Sequence, residues 1–455
     1  MVVQGLSGLP VELVQQIAIH FTCQEHAAVR ATCKWLDAAL LESWGKKYAS
    51  RMQVMRMEFS LQALVDLSKS RLSPYLKHVV ISMEELPAIR SWHSDKLEIY
   101  AREQSRFVQA GADLEMLQKA FFNLQLETVE VHSYYKYEPQ APWTTYGRRK
   151  VMEDLRLDLS KEKPPVNFDT TLASTLPGVL FALGRSGARP KRFEVSLASG
   201  SLPDGAFIIL NHMKELITSV LSSLESLSLP VRFSDRAPGT GRLPAENPNS
   251  STYNFRRFLR CLEGSSLRRL KLDISGGQSP EAEAFFQWLG TTPETTIPGR
   301  QLLSVGVGPS RPRAMPPPIS FEHLEELELL NLCIGRAALT LVLRKIQPSL
   351  RSLRLQRVCL DDPRNSGSRY SASFGDEVWT VFLWSLISIG CGDTLRTISL
   401  QQLSYLKGSS KREVSFPHEY EGFRSSYEYS GTNMCGALEG IAGQLYPYDD
   451  LDVFQ

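Results

Sequence analysis

The sequence lacks the long apolar run that a membrane-spanning helix requires. Nowhere in the 455 residues do about 18 apolar residues follow one another. The N-terminus has no basic start followed by an apolar stretch, so it does not read as a secretory signal. We therefore expect no membrane partner and a location in the cytoplasm, the nucleus or both.

The chain also has almost no net charge. Its 51 Lys and Arg residues stand against 49 Asp and Glu residues, which leaves +2. A chain so balanced has no global electrostatic attraction to DNA, RNA or an anionic membrane. We therefore expect that nucleic acid is not a partner.

The seven cysteines include no pair with C-x-x-C spacing, and their number is odd. This pattern argues against a zinc ribbon and against a redox dithiol. The expectation is a set of reduced, mostly buried thiols in a reducing compartment.

Catalytic signatures are missing as well. The sequence has no G-x-S-x-G elbow, no phosphate-binding glycine loop and no H-E-x-x-H pair. His323 and Glu325 have the H-x-E spacing of zinc deaminases, but no P-C-x-x-C comes after them. We predict a protein that is not an enzyme, with no catalytic residue, no metal site and no cofactor.

The first fifty residues, by contrast, have a clear helical pattern. Two apolar stripes at spacings of three and four predict two or three short amphipathic helices. The first stripe is Leu9, Leu13, Ile17 and Phe21, and the second is Val29, Cys33, Leu36, Leu40 and Trp44. A unit this small buries little core, so we expect it to be completed by a neighbour or a partner.

A second pattern, apolar-x-x-apolar-x-apolar, recurs through the rest of the chain. Its best copies are 324–329, 350–355 and 395–400, and 224–229 and 267–272 are also strong. The pattern also occurs at 76–81 and 126–131, is weaker at 193–197 and fits loosely at 302–307. Alternate residues of a strand face the same side, so the last two apolar positions should point inward and the residue between them outward. Helical patterns at 255–262, 284–289, 337–345 and 378–389 lie between these strands. Strand followed by helix, repeated, is the unit of a leucine-rich solenoid.

The repeats are irregular. The six strand starts at 224, 267, 302, 324, 350 and 395 are 22 to 45 residues apart, whereas regular leucine-rich repeats run about 20–29. The additional residues form segments rich in Pro, Gly or Ser at 232–251, 309–318 and 361–375, and 133–165 is a further irregular region. We predict surface insertions at these places.

The N-terminal segment resembles the F-box motif. The resemblance covers residues 6–50 and is carried by Leu9-Pro10-Val11-Glu12-Leu13, together with the later Cys33-Lys34 and Leu36. The segment 59–79 is similar to the region after the box in many fungal F-box proteins. One departure is the central turn, where Gln24-Glu25-His26 stands in place of the usual acidic position.

This resemblance implies an α/β fold class: an N-terminal three-helix F-box followed by an irregular leucine-rich-repeat solenoid. It divides the chain into the F-box at 6–50, linker helices and a first repeat strand at 51–125, the repeat domain at 126–412, and a C-terminal cap or tail at 413–455. The positions that match adaptor-contacting or box-core positions of the family are Leu9, Pro10, Leu13, Ile17, Val29, Cys33 and Leu36.

The function implied is that of a substrate-recognition adaptor of an SCF-type (Skp–cullin–F-box) ubiquitin ligase. The box would bind the Skp-type adaptor and, through it, the cullin, while the repeats bind a protein substrate. The outward residues expected to contact this substrate are Glu326, Glu328, Arg351, Arg354 and Arg396. The alternative is a scaffold or protein-interaction module that uses the box outside any ligase.

Overall fold

The fold is known from a computed structural model of the chain. It describes residues 8–86, 95–133, 145–155, 168–197, 200–233, 252–275, 280–292, 315–361, 377–407, 410–418 and 422–447. The chain divides into two compact units, Met1–Thr171 with Gly178–Ser199, and Leu172–Pro177 with Gly200–Gln455. The predicted boundaries of the F-box, linker, repeat domain and cap stay predictions.

The first unit begins with three helices, α1 Val11–Ala18, α2 Cys23–Thr32 and α3 Lys34–Tyr48. They share a small core of four buried apolar side chains, with Phe21 and Val29 packed against it. The four are Val14, Ala18, Leu36 and Leu40. The three helices expected from the sequence are therefore present, and their core is formed by a different face of α1 from the stripe described above.

A parallel sheet comes next in the first unit. Its strands, in spatial and sequence order, are β1 Arg51–Met55, β2 His78–Ser82, β3 Thr128–Ser133 and β4 Arg192–Leu197. The remaining helices of this unit are α4 Glu58–Ser68, α5 Asp95–Gln109, α6 Ala112–Phe121, α7 Arg148–Leu155 and α8 Phe168–Ser186. Strands β2, β3 and β4 confirm the sequence repeats at 76–81, 126–131 and 193–197, whereas β1 was not predicted.

The second unit contains a six-stranded sheet. Five strands are parallel and in sequence order: β5 Ser226–Arg232, β6 Arg269–Ser275, β7 Glu326–Leu330, β9 Ser352–Gln356 and β11 Thr397–Gln401. The sixth, β15 Ser426–Ser430, pairs antiparallel with β11. The repeat leucines are in register, since Leu327 pairs with Leu353 and Leu353 with Ile398. All three are buried, which confirms the strand phase read from the sequence.

A second, shorter sheet runs beside the last repeats. It consists of β8 Cys333–Gly335, β10 Cys359–Asp361, β12 Ser404–Lys407, β13 Ser410–His418 and β14 Gly422–Arg424, with β16 Tyr446–Pro447 on β13. A left-handed residue after each long strand turns the chain into the short one: Asn331, Arg357 and Gln402 have φ of 54°, 54° and 50°. Because L residues adopt this conformation at a cost, its recurrence marks these turns as equivalent parts of three repeats.

The helices of the second unit are α9 Lys214–Leu221, α10 Tyr253–Arg260, α11 Pro280–Gly290, α12 Arg336–Ile346, α13 Glu377–Ser388, α14 Cys391–Thr394 and α15 Met434–Ala442. Four of them, α10 to α13, confirm the helical patterns between the repeats. Stacked and tilted rings of Phe233, Phe255 and Phe285 fill the core where α10 and α11 meet.

The fold is thus mixed α/β with strand–helix repeats that form parallel sheets. The strand predicted at 302–307 lies outside the described residues. Most residues of the predicted insertions at 232–251, 309–318 and 361–375, and of the irregular region at 133–165, also lie outside them.

Candidate protein-binding surfaces

The first candidate surface is on α1. Leu9, Leu13 and Ile17 lie four residues apart and remain 37%, 45% and 41% exposed. The same helix buries Val14 and Ala18, so it is apolar on more than the face that packs on its neighbours. The apolar side of α1 is therefore only partly covered by the described residues. We call Leu9, Leu13 and Ile17 the α1 stripe; it has the character of a surface that a partner covers.

The other predicted adaptor positions have different surroundings. Pro10 is the N-cap of α1, where its missing N–H costs no hydrogen bond. Cys33 is exposed between α2 and α3. Val29 is half-buried against the core, and Leu36 is 6% exposed within it. Leu36 therefore stabilises the three helices from inside, which fits the box-core role rather than direct contact with a partner.

The central turn, whose sequence departs from the F-box pattern, is well ordered by its own side chains. The Thr22 hydroxyl accepts a hydrogen bond from the Glu25 backbone N–H, and the Glu25 carboxylate accepts one from the Thr22 N–H at 2.8 Å. This reciprocal capping box satisfies two donors that a helix start otherwise leaves free. The Thr22 hydroxyl also donates to the Glu25 carboxylate, and the hydrogen bonds from the Thr22 N–H and hydroxyl lower the pKa of Glu25.

A charge network ties these helices to the rest of the first unit. The Asp37 carboxylate accepts hydrogen bonds from Arg30 on α2 at 2.8 Å and from Arg71 on the segment after α4. The hydrogen bond from Arg71 is the main reason that the pKa of Asp37 is lowered. Arg30 also lies over the ring of Trp44, 4.7 Å from its centre. These contacts fix α2 and α3, the helices beside the α1 stripe, to each other and to the segment after α4.

The second candidate surface is the outer face of the six-stranded sheet. Glu328 on β7 pairs in register with Arg354 on β9, and both point away from the buried leucines. Sequence reasoning placed an acidic strand beside basic ones here, and the structure places those charges on one face.

Many of these charged side chains form ion pairs with neighbouring strands of the sheet. Glu326 contacts Arg269 at 3.0 Å, and Glu328 contacts Lys271 at 3.1 Å, both across the β6–β7 pair. On the other side Arg354 approaches Glu428 of β15 at 3.8 Å. These cross-strand pairs lower the charge that Glu326, Glu328 and Arg354 offer to a partner.

Two arginines of the predicted set differ from the others in their contacts. Arg351 and Arg396 precede β9 and β11 and are both exposed; the Arg396 N–H donates to the Arg351 carbonyl at 2.7 Å. Arg351 donates its guanidinium to the Thr394 carbonyl at 3.1 Å. Among the described residues neither arginine has a carboxylate partner, so these two are the strongest candidates for contact with an acidic group.

Three charged residues of this face were not among those predicted from the sequence. Arg269 and Lys271 were visible as the outward positions of a repeat, but their pairing needed the order of the strands. Glu428 had no signal, because β15 lies in the C-terminal segment, carries no leucine repeat and runs antiparallel.

Within the described ranges, no helix has both the length and the apolar character needed to span a bilayer. Those ranges also bring together no three His, Cys, Asp or Glu side chains that could hold a metal ion. No protein-family model and no curated protein matches the chain.

Proposed function

We propose that the protein is a substrate-recognition adaptor of an SCF-type ubiquitin ligase. In this proposal residues 6–50 form an F-box that binds a Skp-type adaptor, and the strand–helix repeats form a leucine-rich-repeat solenoid that binds a protein substrate. The chain itself performs no catalysis and works without a cofactor.

The observation that carries the proposal is the α1 stripe. Three large aliphatic side chains, Leu9, Leu13 and Ile17, remain 37–45% exposed on a unit that has its own core. Exposed single apolar residues are ordinary, but Leu13 and Ile17 share one helical face, Leu9 lies just before the Pro10 N-cap, and all three match the F-box resemblance in position. A partner helix pair would cover this stripe.

The repeat domain supports the second half of the proposal. Its parallel strands present one continuous outer face, and stacked repeats commonly bind proteins with such a face. Arg351 and Arg396, which contact no carboxylate among the described residues, add positive charge where β9 and β11 begin. This charge favours a substrate segment that carries carboxylates at this place.

A three-protein co-purification tests the ligase role. The tagged full-length chain is mixed with a purified Skp-type adaptor and cullin, and with each alone. We expect the cullin to be retained only when the adaptor is present. Retention of the adaptor without the cullin favours the scaffold alternative, and retention of neither contradicts the F-box assignment.

Substrate contact is tested by the double variant Arg351→Glu and Arg396→Glu. Since neither arginine holds an ion pair within the described part of the chain, the change should leave folding and adaptor binding intact while reducing the set of proteins labelled by a proximity-labelling fusion in cells. Arg192→Glu, an exposed arginine of β4, is the matched control. An unchanged set would place substrate recognition elsewhere than on this face.

A further inference from the structure

Two cysteines that are far apart in sequence lie side by side in the short sheet. Cys333 on β8 and Cys359 on β10 are register partners of a parallel pair. Partners at the same register direct their side chains to the same face, and adjacent strands lie about 4.8 Å apart. A disulfide requires Cα atoms about 4.4–6.8 Å apart. The backbone therefore already holds the two Cα atoms at a separation that a disulfide can span.

The surroundings differ for the two thiols. Cys359 is buried, with 4% of its surface exposed, while Cys333 is half-exposed. The next register partner of Cys359 is the buried Ser404 on β12. The short sheet thus sets a buried and a half-buried cysteine side by side, with Ser404 as the next register partner of the buried one.

The charges around the pair favour ionisation of one sulfur. The Cys333 thiol lowers the pKa of Cys359 despite burial, and the Ser404 hydroxyl and the Lys411 charge lower it further. In return the Cys359 sulfur raises the pKa of Cys333, and burial adds to that. The pKa of Cys359 is thus lowered and that of Cys333 raised, which favours Cys359 as the attacking sulfur.

We propose that Cys333 and Cys359 form an oxidisable dithiol that closes to a disulfide joining β8 to β10. The oxidant we name is hydrogen peroxide, which is small enough to reach a sulfur shielded from larger reagents. This inference goes beyond the proposed function and does not depend on it.

The reaction balances in two steps. The Cys359 thiolate attacks one peroxide oxygen, the O–O bond breaks, and a sulfenic acid and hydroxide result. The Cys333 sulfur then attacks the Cys359 sulfur, the S–O bond breaks, and a second hydroxide leaves. The two hydroxides take up the proton of the Cys333 thiol and the one lost when Cys359 ionised. Two thiols and one peroxide therefore give one disulfide and two waters, and the two electrons lost by sulfur reduce the peroxide.

The position of the bond connects it to the predicted substrate surface. Strands β7 and β8 belong to one repeat and β9 and β10 to the next. These repeats carry Glu328 and Arg354 on their outer face. A disulfide between β8 and β10 fixes the two repeats to each other.

The experiment uses the native full-length chain. It is treated with hydrogen peroxide, blocked with an alkylating reagent, digested without reductant and analysed by mass spectrometry. We expect a cross-linked pair of peptides containing Cys333 and Cys359, lighter by two hydrogen atoms than the sum of the reduced peptides and separated by reductant. Disulfides that join other cysteines instead, or both thiols recovered alkylated, would overturn the proposal.

Two controls separate geometry from general reactivity. The same treatment in concentrated urea should abolish the preference for the pair, because unfolding removes the register; a cross-link formed only in urea would contradict the proposal. In Cys333→Ser the cross-link should be absent, whereas Cys261→Ser should leave it unchanged. Cys391 is the inert internal reference, since burial raises its pKa to about 12.

Discussion

Replacing Leu353 by Ala should open a cavity in the repeat core. Leu353 is fully buried and lies between Leu327 and Ile398 in the strand register, so neither neighbouring strand is free to collapse onto the space. Truncation of a buried leucine costs about 2–5 kcal/mol, with the larger values where the site cannot relax. We expect the upper half of that range for Leu353→Ala.

The next residue along the strand supplies the matched comparison. Arg354 points outward; its side chain is 44% exposed, and its ion-pair partner Glu428 is 63% exposed at 3.8 Å. Exposed pairs of this kind contribute about 0–1 kcal/mol, so Arg354→Ala should cost no more than that.

The assay is hydrogen exchange of the β9 amides across a urea series, which reports the free energy of opening of this strand rather than of the whole two-unit chain. A loss for Leu353→Ala at least twice that for Arg354→Ala is expected. Equal losses, or a larger one for Arg354→Ala, would mean that the inward and outward faces of β9 have been assigned the wrong way round.

Three further substitutions test other parts of the structure. Asp113→Ala leaves the buried Arg56 without the carboxylate that it contacts at 2.6 Å, so it should cost about 3–5 kcal/mol in urea unfolding; a loss under about 1 kcal/mol would contradict this burial. Burial raises the pKa of Glu130, but hydrogen bonds from two histidines and the charge of Arg51 outweigh it and hold the pKa far below its ordinary 4.5. This carboxylate therefore stabilises the fold above about pH 4.5 and less as the pH falls below it, so the difference in Tm between the wild type and Glu130→Gln should shrink between pH 6 and pH 3; a constant difference would contradict the assignment. Gly290→Ala places a Cβ 2.9 Å from the backbone of α12, so it should cost about 1–3 kcal/mol of unfolding free energy; an unchanged Tm would show that α11 and α12 do not approach so closely.

The repeat strands were predictable because their signal is local. Leucines two apart, as in Leu353 and Leu355, select the inward face of a strand without knowledge of its neighbours. Strand β1 has no such pattern, since Arg51-Met52-Gln53-Val54-Met55 reads as a mixed segment and its strand character depends on pairing with β2. A local sequence pattern does not reveal pairing between strands that are distant in sequence.

The α1 stripe was recognised as apolar, but its exposure was not predictable. Val14 and Ala18 are also apolar, and periodicity alone does not say which of two apolar faces packs inside. The choice depends on how α3 approaches α1, with Leu36 and Leu40 packing on Val14 and Ala18. The same limit applies to Cys333 and Cys359: sequence spacing argued against a dithiol, and the register of β8 and β10 placed the two side by side.

The central claim is that the α1 stripe binds a Skp-type adaptor, and the affinity of the double variant Leu13→Ala and Ile17→Ala tests it most directly. Full burial of an aliphatic side chain is worth about 1.5–3 kcal/mol, and both side chains are still more than 40% exposed. Losing both contacts should therefore raise the Kd of the adaptor complex at least about tenfold in calorimetry. The control Ile99→Ala changes a 53% exposed aliphatic residue of α5 and should leave the Kd unchanged. Wild-type affinity in a folded double variant would contradict the account.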